Sequence, residues 1–527
     1  MPATPTHPVT APAPRFAELM ACLAGACELA MGQSADHALH SCAVSMRLAQ
    51  AASLCGNELR NVYYQALLRF IGCNADAEAM ASIAGDVIGL RQATAPLDMA
   101  QTQAVVAALI RNIRQTHDGE AMMPKAAAIL HGLLHAGRFA QDIFPGHCEV
   151  AQRLGRRLGF DERFITGLGQ LYARWDGKGV PAIKGNALMP AVRVAMLAQD
   201  VLIHHRQGGW PAVEALMHAR SGKQYDPDLA ARVLTLGPAL VADLPGDWAS
   251  VLAMEPPPHE HLEGAALDSA MAVLADYSDI QSPWLIGHAR RVAALACAAA
   301  RNMGMPTQDE HTLHLAALVH DIGRVGVSAH IWAHPGPLSQ SDRDRMQLHS
   351  LYTTQILSRA PSLRALARLA GGVHERLDGS GYVGGLDASA QSPMARVLAA
   401  ADVVAALGEA RPHRPPFQPE RIVDIVNDEV RQGRLDAQAA QAVLHVAGMA
   451  CRPQTAPPLP AGLSAREAEV LGELARGLTN KEIARQLGSA PKTVGHQVQS
   501  VYRKIGVSTR AGATLFAMEN GLVAPPR

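Results

Sequence analysis

Aromatic residues are scarce in this chain: Phe, Tyr and Trp make up 4% of its 527 positions. Sheets usually lean on such residues, so the alanine-rich remainder of a 48% hydrophobic composition favours close-packed helices and an all-α fold. An excess of charge of one sign is also missing. Lys plus Arg and Asp plus Glu both number 47, so the whole chain is not a polyanion binder, although a single domain can be. The eight cysteines include no CxxC pair, which argues against a thiolate zinc site and reads as reduced, buried thiols of a cytoplasmic protein. No segment approaches the apolar length of a membrane span. Residues 1–14, rich in Pro and Thr, lack the pattern of a signal peptide and are expected to be disordered. The length suggests three or four domains.

What the chain does have is a set of histidines and aspartates at telling positions. In LHLAALVHDIGR (313–324), Leu313, Ala316, Ala317 and His320 recur at helical spacing, so His320 points inward and Asp321 lies one residue round. A buried charge is costly unless it is paired or bound to a cation. Further candidates stand on both sides: His288 in GHARRVAAL, His349 in MQLHSLY, His374 in VHERLDGSGYVGG, and Asp402 in RVLAAADVVAAL. Four His and two Asp suit one or two hard-to-borderline divalent ions.

In motif, order and spacing, residues from about 270 to 445 resemble the HD-GYP family of HD-domain phosphodiesterases, which cleave cyclic di-GMP with a metal-activated water. The trailing RPHRPP at 411–416 belongs to the likeness. The resemblance implies metal ligands at His288, His320, Asp321, His349, His374 and Asp402, with iron or manganese foremost. It implies catalytic roles for Asp321, Arg324 and His374, and substrate contacts at Asp378, Gly381 and Tyr382. Departures are specific. The first histidine of the usual HHE is Val373, the lysine of HDIGK is Arg324, and the proline of GYP is Val383. Trp284 stands where some members carry a glutamate for a third metal. A first ion is fully provided for, and a second loses one imidazole.

The N-terminal half reads as an older copy of the same unit. ARWDGKGVP (173–181) parallels ERLDGSGYV (375–383). Asp176 precedes Asp200 by the same interval as Asp378 precedes Asp402, and His147 precedes Tyr172 as His349 precedes His374. His40 takes the place of His288, while Arg69 and Phe70 replace the central His–Asp pair. Two tandem HD-type helical bundles follow, residues 15–245 without metal and 265–450 with it, divided by a Pro-containing linker at 246–264.

After a second linker (451–462), LSAREAEVLGELARGL has Ser464 and Glu467 placed for a capping box. Thr479 opens a second helix and Pro491 a third, on which Val494, Val498, Val501 and Ile505 form a buried stripe opposite Lys492, His496, Gln499 and Arg503. Two helices joined by a short turn describe a helix-turn-helix. LSAREAEVL, ARGLTNKEIA, KTV and YRKIGVSTR make residues 463–523 closely similar to the LuxR-type family. That likeness implies double-stranded DNA contacts at Lys481, Lys492, Thr493, His496, Gln499, Arg503 and Lys504, and a homodimer on DNA. Lys492 and Arg503 suit phosphates; His496 and Gln499 suit base edges. Residues 463–527 are locally basic, with nine Lys/Arg against five Asp/Glu.

Together these features describe a transcriptional regulator with an HD-GYP-like metal-dependent phosphohydrolase or sensor module for a cyclic dinucleotide or other phosphorylated ligand. The alternative is a phosphodiesterase to which the DNA-binding domain is accessory. A third reading has the HD folds serve only to dimerise the reader, and the complete first metal set counts against it.

Overall fold

A computed structural model describes residues 13–116, 122–448 and 459–523; the expectations for residues 1–12 and 451–458 lie outside them. The described residues form helices joined by turns, with only isolated bridges such as Tyr172 with Val180 and no strand. No described helix is long and apolar enough to cross a membrane.

Local signals fix the helices that frame the candidate site. Ser392 caps Pro393–Leu407 by accepting a hydrogen bond from the Ala395 amide, and Pro393 sits in the first turn, where no amide donor is missed. Ser339 caps Gln340–Leu357 in the same way through the Asp342 amide. The helix Thr307–Val319 ends at His320, so the His–Asp pair lies at a helix terminus, followed by a tight 3-10 turn over Ile322–Gly326. That turn is packed hard against Gln340–Leu357. A Cβ at Gly323 would lie 2.0 Å from the carbonyl oxygen of His349, so only glycine lets the two segments approach closely enough to share a centre.

The same construction occurs in the N-terminal half. A Cβ at Gly72, three residues after Arg69, would lie 1.9 Å from the carbonyl oxygen of His147. In the paired loops, Asp176 accepts from the Lys178 amide at 3.0 Å and Asp378 from the Ser380 amide at 2.9 Å. Val180 N donates to Tyr172 O at 3.0 Å, and Tyr382 N to His374 O at 3.3 Å. Where the other half gathers ligands, this copy is filled by its own side chains. Arg69 donates to Gln199 and to the Leu171 carbonyl, the Tyr172 hydroxyl lies 2.8 Å from His147 Nδ1, and Tyr225 donates to Asp200 at 2.6 Å.

The halves share one core. Buried apolar residues from Phe16 to Met518 form a single connected cluster. The helix Phe16–Ala30 is buried nearly all round, as a helix enclosed by two bundles must be. Its Glu28 bonds Arg359 of the other half at 2.7 Å, and its Glu18 accepts from the Ser362 hydroxyl at 2.9 Å. The segment expected as an extended spacer is correspondingly pinned. It carries the helix Trp248–Ala253, and Glu255, 3% exposed, accepts from the Tyr64 hydroxyl and pairs with Arg15. A buried carboxylate with two polar partners fixes a linker in a way that proline content does not reveal. Of the described cysteines all are free and buried except Cys55, which is exposed and departs from the expectation.

The C-terminal helices have a core of their own, including Val470, Leu471, Ile483, Val494 and Val501. Their last helix, Arg510–Glu519, packs on the end of the long helix Met122–Arg157. Glu519 accepts from Arg153 at 2.7 Å and Glu149 from the Thr509 hydroxyl at 2.6 Å. Arg157 reaches Asp276, a residue with no exposure, at 2.6 Å.

Candidate metal centre and DNA-reading surface

Five segments deliver the central residues. His288 opens the helix His288–Asn302, whose first turn is tied back by the Asp279 carboxylate through the Ala289 amide at 3.1 Å. His320 and Asp321 stand at the helix end described above, with Ser278 donating to the Asp321 carbonyl and Thr353 to the His320 carbonyl. His349 lies mid-helix, Asp402 lies on Pro393–Leu407, and His374 lies in the turn that follows Arg364–Gly371. All six are buried.

They fall into two sets that share one residue. Ligand atoms of His288, His320, Asp321 and Asp402 converge within 4.8 Å of one another, as do those of Asp321, His349 and His374. Asp321 turns one oxygen to each set. Its Oδ2 is 3.0 Å from His320 Nε2 and 3.4 Å from His288 Nε2, whereas Oδ1 is 3.5 Å from His349 Nε2 and 3.9 Å from His374 Nε2.

The imidazoles are oriented from behind. His320 Nδ1 donates to the Ala317 carbonyl and His349 Nδ1 to the Met346 carbonyl, both at 2.6 Å, which turns each Nε2 toward the centre. His288 Nδ1 is held at 2.9 Å by Glu409, itself 2% exposed and bonded by Arg291 and Arg411. A carboxylate behind a ligating histidine is the usual way to fix its tautomer. Glu409 was not legible as a site residue, because its motif carries no such signal and its partner lies far back in the sequence.

The donor set fits a divalent cation. His320 Nε2 and both Asp321 oxygens are buried close together, with His320 Nε2 3.0 Å from Asp321 Oδ2, and His349 Nε2 faces His374 Nε2 at 2.8 Å. So many acceptors at close range require positive charge, as protons or as metal. The electrostatics of the buried groups makes the same demand. Burial disfavours charged imidazoles, yet the Glu409 carboxylate and the bonds to Asp321 and Asp402 carry His288 up to about 9. Against the same burial, Asp321 and Asp402 carry His320 up to about 10. Burial opposes ionisation of the aspartates as well, but Arg324 and His320 hold Asp321, and His288 and His320 hold Asp402, well below the usual carboxylate range. His374 goes the other way, pushed down to about 4 by burial.

Arg324 touches the centre directly, with Nη2 2.7 Å from Asp321 Oδ2. The trio expected to contact substrate is otherwise engaged. Asp378 is exposed and uses its carboxylate to close its own turn on Ser380, as Asp176 does on Lys178. Gly381 answers a close approach: a Cβ there would lie 2.4 Å from the Arg376 amide nitrogen. Tyr382 stacks on the His374 ring at 5.0 Å and so braces that imidazole. Glu375 pins the loop by accepting from the Gly384 and Leu386 amides, a role the sequence did not disclose.

At the C-terminus, the expected capping box of Ser464 with Glu467 is present, and Thr479 with Glu482 forms a second one. Lys481, Lys492, Thr493, His496, Gln499 and Arg503 are exposed together, and the helix Pro491–Ile505 buries Val494, Val501 and Ile505 on the opposite side. Lys504 is exposed too, with its ammonium 2.7 Å from Glu467. Ala490 offers the recognition helix no side-chain cap. Ala490→Ser is expected to stabilise that helix start by about 1 kcal/mol, read as slower hydrogen exchange of its first-turn amides.

Comparison with known proteins finds a family over each of these regions. The HD domain family matches residues 272–439, and the family of bacterial regulatory proteins of the luxR type matches residues 461–517. The chain is 29% identical over 422 residues to 3'3'-cGAMP-specific phosphodiesterase 3 of Vibrio cholerae, covering 79% of this chain and 91% of that protein. The crystal structure of a cyclic GMP-AMP specific phosphodiesterase from the same organism superposes with a TM-score of 0.57 at 26% identity, covering 83% of this chain and 99% of that one. Those spans reach well beyond the HD match and take in the N-terminal half. At the other end, 70 residues are 47% identical to the probable transcriptional regulatory protein NarL of Mycobacterium tuberculosis, which is 13% of this chain and 32% of that protein. The chain thus carries an HD domain followed by a LuxR-type regulatory domain, and most of its length is similar to 3'3'-cGAMP-specific phosphodiesterases.

Proposed function

We propose that this chain is a cytoplasmic transcriptional regulator whose HD module binds one or two divalent ions, iron or manganese, and hydrolyses a cyclic dinucleotide. The observation that carries the reading is Asp321, with one carboxylate oxygen toward each histidine set, in a chain that also ends in a LuxR-type reader. His288, His320, Asp321 and Asp402 would hold the first ion, and Asp321, His349 and His374 the second. Ions so bound supply an acidified water and a counter-charge for the leaving oxygen at phosphorus. The chain's own residues do the rest. Arg324 offers a guanidinium fork to a phosphate oxygen, and Tyr382 steadies His374 by stacking. The relatives named for 3'3'-cGAMP point to that ligand or cyclic di-GMP as substrate. The reader would bind a two-part DNA site as a homodimer, with Lys492 and Arg503 on phosphates and His496 and Gln499 on base edges.

The test is elemental analysis of the purified chain, joined to turnover of 3'3'-cGAMP and cyclic di-GMP and to selection from a genomic DNA library. Protein without bound metal, or without salt-sensitive DNA binding, would sink the corresponding half of the reading. The second ion lacks the imidazole that Val373 replaces. Val373→His is therefore expected to raise occupancy of that position and turnover together, as counted by titration with manganese.

A further inference from the structure

Beside the proposed metal centre lies a cavity of about 750 Å³, within the range usual for small-ligand sites. Its lining has an unusual charge balance. Arg324, Arg343, Arg411 and Arg414 contribute, and no aspartate or glutamate does. Two of the chain's five tryptophans, Trp284 and Trp332, line it as well. Arg324 joins the cavity to the centre. Its Nη2 pairs with Asp321, while its Nε and Nη1 are buried without a partner, so a buried cation is left with donors unused. An anion is what such donors require.

The aromatic surfaces are tied to the cations one by one. The Arg324 guanidinium lies 5.3 Å from the Trp332 ring centre, and the Trp332 indole N–H donates to the Arg324 carbonyl at 3.3 Å. Arg411 donates to the Trp284 carbonyl at 3.2 Å and to Glu409 at 2.9 Å. The Trp332 indole is thereby held next to a guanidinium, and the backbone of Trp284 is tied to a second one. Flat apolar faces alternating with cations suit stacked bases joined by phosphodiesters, and they suit neither an acidic peptide nor a bare phosphate.

We propose that Trp284 and Trp332 are the base platforms of this site and select purine cyclic dinucleotides. The proposal rests on the reading of the centre as a cyclic-dinucleotide site, and it adds the residues that recognise the bases. Indole stacks more strongly on the larger purine face, which is the origin of the selectivity.

The test is calorimetry on the manganese-loaded full chain with hydrolysis-resistant phosphorothioate analogues of a purine and a pyrimidine cyclic dinucleotide. Trp284→Leu and Trp332→Leu are each expected to weaken purine binding on the order of tenfold or more. The corresponding Phe variants, which keep an aromatic face, should stay within about threefold of the parent. Unchanged purine binding by Leu variants that keep the parent's circular dichroism overturns the proposal, as does equal affinity for purine and pyrimidine ligands. Turnover of the natural ligand is measured separately. Turnover that ignores both tryptophans leaves the hydrolase reading standing and removes the platforms. Tryptophan-dependent binding without turnover does the reverse, and absence of binding by either analogue removes both.

Discussion

Asp321→Ala is expected to strip the protein of metal at both positions at once. The reason is geometric. Oδ2 lies among His288, His320 and Arg324 and Oδ1 among His349 and His374, so one residue serves both sets. His349→Ala should by contrast remove only the second ion, since that residue belongs to one set. A second consequence falls on stability. Without the carboxylate, the buried Arg324 guanidinium keeps its charge and loses its ion-pair partner, a change that typically costs about 3 kcal/mol or more. Both effects are read on one sample, by elemental analysis and by thermal unfolding of the ion-free protein. Full metal content in Asp321→Ala would refute the bridging arrangement.

The residues of the centre were legible because metal chemistry restricts both residue type and order. His288, His320, Asp321, His349, His374 and Asp402 stand at spacings that only a shared pocket explains, and the structure brings all six together. Their supports were not legible. Glu409 reaches His288 from the segment that follows Leu407, and Asp279 ties down the first turn of the His288 helix through a single backbone amide. A lone carboxylate contact of that kind leaves no periodic trace in a sequence. Motif residues can serve the backbone as well. Asp378 and Gly381 stand in a motif read as substrate contact and also shape the loop, and Asp176 and Gly179 stand at the corresponding turn of the N-terminal half, where Arg69 and Phe70 occupy the place of the His–Asp pair. Turn geometry outlasts chemistry because the fold still needs it.

The degree of fusion was hidden for a related reason. Hydrophobic periodicity shows that a helix has an apolar face but not whose core receives it. Phe16–Ala30 reads as part of the first unit, yet Glu28 and Glu18 bond the second. The prolines at 256–258 suggest an extended spacer, while the neighbouring Glu255 is fully engaged. Long-range partners of this sort also seat the reader, whose Glu519 and Thr509 meet Arg153 and Glu149 of the N-terminal half. In that arrangement Lys492, His496, Gln499 and Arg503, the side chains proposed to meet DNA, remain exposed.

Ion affinity at the first position should rise steeply with pH, up to about a hundredfold per unit. Metal requires neutral imidazoles, whereas His288 and His320 are carried from an ordinary 6.5 up to about 9 and about 10 by the carboxylates around them. Below pH 9 both therefore hold protons in the ion-free protein, and binding one ion must release up to two. Unfolding has the opposite dependence. Because the folded values lie above the unfolded ones, the two histidines stabilise the ion-free protein fully below about pH 6.5, and that contribution is lost as pH climbs through 9 to 10. The ion-free melting temperature should thus fall across that window, while the increment gained on adding manganese should grow. The second position behaves differently, since His374, lowered to about 4, is neutral throughout and has no proton to give up. Calorimetry at pH 6, 7 and 8 in buffers of different ionisation enthalpy counts the protons directly. Release approaching two for the first ion is the expected result; a flat affinity with no proton release would mean that neither imidazole is charged before the metal arrives, and that the buried carboxylates are balanced by Arg324 alone.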